Sequence, residues 1–301
     1  MEETITKPRR TFGSVGVAMV TPFFEDGSLD IDTAVSLAVS LVDQGCDSLV
    51  LSGTTGEAPT THQPEKDDLV REVKKAVGSR ALIIAGAGSN DTAHAVRMAR
   101  SAQACGADGL LVVSPYYSRP SQEGIYQHMC AIADSTDLPV LLYDIPGRTG
   151  VSIELDTFKR LNEHPLIKGV KDATGNIGAA CITMRETDLE FYSGDDVLNL
   201  PWLMSGAVGV ISVTGHVNAP ALRALVEAID EGDIHKARDI FYQQIPINNA
   251  IMGGGQGAVM AKEALKLIGV IPSATLRLPL VGASRSQLIA LVDVLRSEGL
   301  M

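Results

Sequence analysis

The stretch Ile167-Lys-Gly-Val-Lys-Asp-Ala-Thr-Gly-Asn176 is an apolar segment of strand length that ends on an amine and runs into a Thr-Gly-Asn turn. Strict strand alternation puts Ile167, Gly169 and Lys171 on one face and Val170 on the other. A lysine at the inner end of a buried strand must be desolvated, paired or chemically used. Desolvation lowers an amine's pKa, and a neutral amine attacks a carbonyl to form a Schiff base. The competing reading is a strand-end lysine that snorkels to water. The surrounding chain decides between the two.

The same pattern recurs on both sides. Short β-rich runs at 16–20, 48–51, 81–85, 109–113, 139–143, 167–171, 190–193 and 209–212 alternate with amphipathic stretches at 32–44, 64–77, 91–105, 121–135, 155–164, 176–187, 195–205 and 218–231. Most of the runs are apolar without polar alternation, as parallel strands covered on both faces require. Asp91 and Ser121 can cap helices, Pro64 suits a first helical turn, and Gly45 and Gly106 suit helix ends. Eight βα units in roughly 220 residues is the arithmetic of a (β/α)8 (TIM) barrel, in the α/β class. A doubly wound sheet shares the local pattern but usually has fewer units. Beyond residue 233 only helical patterns follow, at 234–251, 256–268 and 284–298. Residues 1–232 are therefore expected to form the barrel and 233–301 a small all-helical appendage, divided near Glu231-Gly-Asp233.

Composition excludes several classes of function. The chain has 301 residues and a net charge of −11, which disfavours electrostatic binding to nucleic acid or anionic lipid. Cys46, Cys105, Cys130 and Cys181 are far apart and read as packing residues in a reducing compartment. The segment Met1-Glu-Glu-Thr-Ile-Thr-Lys-Pro-Arg-Arg10 has no signal-like apolar core, and no apolar run reaches membrane-spanning length. A cytoplasmic protein is expected.

In a barrel, functional side chains gather at the C-terminal ends of the strands and in the loops that follow. There the sequence supplies Ser52-Gly-Thr-Thr-Gly-Glu57, Ser114-Pro-Tyr-Tyr-Ser-Arg119, Tyr143 followed by Asp-Ile-Pro-Gly-Arg-Thr-Gly150, Lys171, Ser193-Gly-Asp-Asp196 and Val210-Ile-Ser-Val-Thr214. Gly53-Thr-Thr-Gly56 offers backbone N–H groups and two hydroxyls, which suits a carboxylate as well as it suits a plain turn. No Gly-Lys-Ser/Thr follows, so it is no phosphate loop. Tyr117 and Tyr143 can pass protons to and from a carbinolamine, though strand-end tyrosines are usually packing residues. Arg148 can clamp a carboxylate or form a surface salt bridge. Asp195 and Asp196 read as acids opening a helix. Of six histidines only His216 falls on this rim, so no metal site is expected. Gly253-Gly-Gly-Gln-Gly257 reads as a helix–helix linker.

Taken together, Gly53-Thr-Thr-Gly-Glu57, Pro115-Tyr-Tyr117, Tyr143 with Arg148-Thr-Gly150, Lys171-Asp-Ala-Thr-Gly-Asn176 and Ser193-Gly-Asp-Asp196 resemble the motifs of the dihydrodipicolinate synthase family, within the Schiff-base-forming pyruvate aldolase and lyase superfamily. The resemblance covers essentially the whole chain. It implies condensation of pyruvate with L-aspartate 4-semialdehyde to 4-hydroxy-tetrahydrodipicolinate, in diaminopimelate and lysine biosynthesis, with no dissociable cofactor. It also implies roles. Lys171 forms the Schiff base, and Tyr143 and Thr55 relay protons. Tyr117 completes the relay of the neighbouring subunit, and Thr54 holds the pyruvate carboxylate. Arg148 receives the semialdehyde's carboxylate, and Gly194 and Ile211 line the pocket. A homotetramer built as a dimer of dimers is implied as well. Sialic acid or 2-keto-3-deoxy sugar acid lyases share the lysine, the tyrosine and the Gly-Thr-Thr-Gly-Glu loop, and Arg148 with Thr-Gly is what separates them. A barrel that binds keto acids without catalysis is the remaining alternative.

One departure carries an expectation of its own. Lysine-sensitive members of the family bind L-lysine at a subunit interface, and Asn90 and Tyr116 fit that pattern. Where histidines or a carboxylate are usual, this chain has Gln63, Lys66 and His94, with Ala58-Pro59 nearby. The cation of Lys66 would repel the ligand's ammonium. L-lysine is therefore expected to inhibit weakly or not at all.

Overall fold

The computed structural model describes residues 9–301. Residues 1–8 of the leading segment, and of the expected barrel domain, lie outside the described residues. Eight parallel strands, β1 (Val15–Ala18), β2 (Ser48–Leu51), β3 (Leu82–Gly86), β4 (Gly109–Val113), β5 (Val140–Asp144), β6 (Ile167–Asp172), β7 (Glu190–Ser193) and β8 (Gly209–Ser212), close into a barrel in sequence order. Closure is direct, because Val15, Gly16 and Val17 of β1 pair with Val210, Ile211 and Ser212 of β8.

Both faces of the sheet are buried, which explains the near-continuous apolar runs. Val17, Leu49, Ile83, Leu110, Val140 and Val170 face the surrounding helices. Val50, Ile84, Leu111, Leu141, Tyr143, Tyr192 and Ile211 fill the barrel. Phe12, just before β1, plugs the N-terminal end. Its ring meets Tyr192 edge to face at 5.9 Å and its N–H donates to the Tyr192 hydroxyl at 3.1 Å. The opposite mouth is left to the loops.

Two departures from the expected pattern have clear causes. The first is a bulge in β6. Val140 pairs with Ile167 but Leu141 pairs with Gly169, so Lys168 has no partner. An inserted residue shifts the alternation by one. Ile167 therefore packs outward with Val170, and not inward with Lys171 as strict alternation predicts. Gly169 and Lys171 keep their inward phase, opposite Leu141 and Tyr143. The second is the end of β1, which stops at Ala18 because the N–H of Val20 is claimed by His216 Nε2 at 3.0 Å.

Helices follow each strand within a few residues of their expected places, from Ile31–Asp43 after β1 to Gly215–Asp230 after β8. Asp30, Asp91, Ser121 and Asn176 each cap one by accepting a backbone N–H. The C-terminal segment forms Ile234–Asn248, a π-helical turn at Asn249–Gly253, then Gly257–Leu267 and Arg285–Ser297. Gln256 in the glycine-rich linker caps the Gly257–Leu267 helix, accepting from Ala258 N at 2.6 Å. Among the described residues no helix is long and apolar enough to cross a membrane.

Candidate active site

The site is the C-terminal mouth of the barrel, and Lys171 is its deepest reactive group. Its side chain is 4% exposed, and its Nζ lies 4.6 Å from the centre of the Tyr143 ring on the neighbouring strand. Burial disfavours the ammonium and pulls the amine down to about 8. The charge of Asp196 opposes that pull and the charge of Arg148 adds to it. At this value about one amine in ten is unprotonated at pH 7, against about one in 2,500 for an ordinary lysine. Tyr143 is buried as well. Desolvation holds its phenol above the usual range, with Arg148 and the Thr54 hydroxyl working against that rise. A neutral phenol beside a partly neutral amine suits proton exchange.

The turn after β2 is built for close quarters. Ser52 and Glu57, both non-glycine residues, hold left-handed φ of 53° and 56° at its two ends. Glu57 N–H donates to Thr54 O and Ala58 N–H to Gly53 O, each at 3.1 Å. The loop is mostly buried, so the open display of N–H groups expected from Gly53-Thr-Thr-Gly56 is narrower than predicted. Thr54 lines the cavity, and Thr55 is buried in the turn, 7% exposed. After β5 the chain makes a four-residue helix, Pro146–Thr149, too short to leave a periodic signal in the sequence. The Thr149 hydroxyl ties it down by donating to the Ile145 and Val151 carbonyls, and Arg148 is carried to the rim.

Gly194 after β7 is demanded by contact. A Cβ there would stand 2.8 Å from Asp172 O and 3.1 Å from Lys171 Cγ. Ile211 lies inside the barrel with Tyr143. The two adjacent acids open the helical turn as expected, and one of them does more. Asp195 caps the following turn. Asp196 turns inward and accepts from Ser212 Oγ at 2.5 Å, Val213 N at 2.8 Å, Thr214 N at 2.9 Å and Asn199 Nδ2 at 3.1 Å. It is a structural tie between β7 and β8 as well as the counter-charge to Lys171. His216 is structural too. Val20 N–H can only donate to its Nε2 and Val213 O only accept from its Nδ1, which fixes the neutral tautomer, and burial lowers its pKa to about 4.

Among the described residues no three His, Cys, Asp or Glu side chains converge as metal ligands would. Thus Lys171, Tyr143, Thr54, Arg148, Gly194 and Ile211 gather at one mouth, with Thr55 buried in the turn next to Thr54. Tyr117 does not join them. It is 89% exposed, at a left-handed φ of 71°, and points off the chain. Sequence reasoning assigned no site role to Asp196, nor to Asp144 and Asp172. Those two follow Tyr143 and Lys171 on their strands, and burial pushes Asp144 up to about 7.

A cavity of about 400 Å³ opens from this mouth. Its wall includes Thr54, Tyr143 and Arg148 together with Ala58, Gln63, Lys66, His94 and Tyr116, whereas Lys171 reaches it only behind Tyr143. Asn90, expected with that group, is exposed and does not line it.

The shifted amine sets a pH dependence. Below pH 8 the protonated form of Lys171 dominates and cannot attack, so imine formation with a small ketone should fall as pH falls, with a midpoint near 8. Arg148→Gln removes a positive charge that depresses the amine, and its midpoint should move to higher pH. Borohydride-trapped adduct measured against pH tests both. A midpoint at the ordinary lysine value of about 10.4 would contradict the burial argument.

Residues 11–298 match the model of the dihydrodipicolinate synthetase family. A 4-hydroxy-tetrahydrodipicolinate synthase of Corynebacterium jeikeium is 51% identical over 98% of this chain and 97% of its own. The 4-hydroxy-tetrahydrodipicolinate synthase 2 of Streptomyces coelicolor is 52% identical over 91% of each. Among solved structures, a dihydrodipicolinate synthase from Cyanidioschyzon merolae with lysine bound superposes with a TM-score of 0.94 at 38% identity, covering 97% of this chain and 100% of that one. Motif order, barrel geometry and near-complete coverage agree, and the chain belongs to the dihydrodipicolinate synthetase family.

Proposed function

We propose that this chain condenses pyruvate with L-aspartate 4-semialdehyde to give 4-hydroxy-tetrahydrodipicolinate. The observation that carries the chemistry is the buried amine of Lys171, drawn down to about 8 and set against Tyr143. The names of the relatives support the synthase over a sugar acid lyase or a binding protein.

Lys171 Nζ adds to the pyruvate ketone, and the carbinolamine loses water to give an imine. Tyr143 and Thr55 carry the protons that this requires, and Thr54 receives the pyruvate carboxylate. Loss of a methyl proton gives the enamine, whose carbon bonds to the aldehyde carbon of the second substrate. Its amine then attacks the imine carbon, closes the ring and frees Lys171. Arg148, at the rim of the cavity, offers a fork for the second carboxylate. Borohydride with pyruvate should leave a mass adduct on Lys171, and turnover should appear with aspartate semialdehyde but not with sugar acids. An active protein without that adduct would refute the mechanism.

The assembly we propose is a dimer of dimers in which Tyr117 serves the partner's site. A tyrosine 89% exposed at a strained φ, with no side-chain hydrogen bond among the described residues, is well placed to be covered by another subunit. Mixing inactive Lys171→Ala and Tyr117→Phe subunits should restore activity, because a mixed dimer regains one complete site. No recovery after verified exchange would exclude the shared site. We place the division between barrel and appendage at residues 232–233. There Gly232, at φ 75°, separates the Gly215–Asp230 helix from the next, which Asp233 caps.

Regulation by L-lysine is proposed to be weak or absent. Lys66 sits half-buried in the cavity wall, and among the described residues its Nζ has Met98 Sδ, at 3.8 Å, as its hydrogen-bond partner. The neighbouring Glu65 carboxylate is taken by Arg277. A second ammonium would meet an amine where it needs a carboxylate. A lysine titration is expected to leave the rate unchanged through the low-millimolar range, and sub-millimolar inhibition would overturn this.

A further inference from the structure

Glu57 ends the Thr54–Thr55 turn in a left-handed conformation and is 2% exposed. A non-glycine residue stays in that region only when its surroundings over-determine it. Those surroundings belong to the C-terminal appendage. Lys262 Nζ donates to Glu57 Oε1 at 2.5 Å and to Thr275 O at 2.7 Å, and Arg277 N donates to Glu57 Oε2 at 2.9 Å. Lys262 is fully buried, and Phe23 lies between the two cations, its ring centre 4.2 Å from Lys262 Nζ and 4.1 Å from Arg277 Cζ. Arg277 further reaches Gly27 O and Thr60 O.

The far side of Glu57 is wired to the site. Its N–H holds Thr54 O, and its own carbonyl accepts from the Thr61 hydroxyl at 2.7 Å. We propose that Lys262 is a positioning residue for pyruvate: through Glu57 it fixes the turn that presents the Thr54 and Thr55 hydroxyls to Lys171 and Tyr143. This inference rests on the pyruvate reading above. It makes the helical appendage part of the catalytic apparatus, though it contributes no atom to the substrate. Among the described residues the turn's other side-chain ties are uncharged, from Thr21 and Thr61 to the Gly56 and Glu57 carbonyls.

The test uses the full-length protein and the rate of borohydride-trapped imine with pyruvate. The wild-type chain must give the Lys171 adduct first, and its failure to do so would defeat the functional reading, not this one. Glu57→Gln keeps the side chain's shape but turns one accepting oxygen into a donating amide nitrogen, so it weakens the link and should slow imine formation about 10- to 100-fold and raise the KM for pyruvate. The double variant Glu57→Gln/Lys262→Met removes both charges, so no unpaired ion remains buried. It should recover the melting temperature lost in Lys262→Met without recovering the imine rate. A merely structural pair would restore both together, and that result overturns the proposal. Should the double variant not fold, Glu57→Gln alone decides, and a wild-type imine rate and KM would overturn it equally.

Discussion

A lysine inside a closed barrel is the constraint on which the rest of the site depends. Removing an ammonium from water is costly, and Lys171 forms no direct ion pair among the described residues. What it offers is the face of Tyr143, at 4.6 Å, and the more distant charge of Asp196. The amine is therefore held between two demands. Full neutralisation by a carboxylate would make it an inert cation, and full desolvation without any counter-charge would disrupt the strand that carries it. Asp196 meets the intermediate case because its oxygens are already occupied by Ser212, Val213, Thr214 and Asn199. It supplies field without contact.

The rim repeats this use of buried charge as mechanical anchorage. Asp196 draws the β7 and β8 loops together on one side of Lys171, and Glu57 fastens the β2 turn on another. Four non-glycine residues with left-handed φ, Ser52, Glu57, Tyr117 and Arg119, lie in the loops after β2 and β4. Local strain of this kind costs of order 1–3 kcal/mol per residue and survives only where the surroundings enforce it. Glu57 is enforced from within the chain, and Arg119 is held through its Nε to Gly150 O at 2.8 Å. Tyr117 has no comparable tether among the described residues.

The barrel was legible in the sequence because strands buried on both faces leave continuous apolar runs that need no partner to be recognised. The bulge in β6 was not, since Ile167 suits an inner face as well as an outer one and nothing in its chemistry reports a phase. The four-residue helix bearing Arg148 is shorter than any period that could betray it. Of the site, Lys171 stood out from the residues themselves; proton transfer by Tyr117 and carboxylate binding by Arg148 were readable only as one of two alternatives, and family resemblance chose between them and supplied the role of Thr55. Asp195 and Asp196 are chemically identical neighbours, and only folding distinguishes the cap from the tie. Lys262 did leave a signal that went unread: it stands on the buried stripe formed by Ala258, Ala261 and Leu265.

The unpaired Lys168 bears on how much variation in length this strand can absorb. Ile167 and Lys171 are an even number of residues apart, yet they face opposite ways because one residue between them is skipped by the pairing. A chain lacking that residue would place the same two side chains on the same two faces by simple odd parity, with an unbroken ladder. The strand that carries the reactive amine can thus lose one residue without turning the amine away from its substrate. A gap at this point in a comparison of relatives would be silent with respect to chemistry, although it falls three positions from the residue on which the chemistry turns.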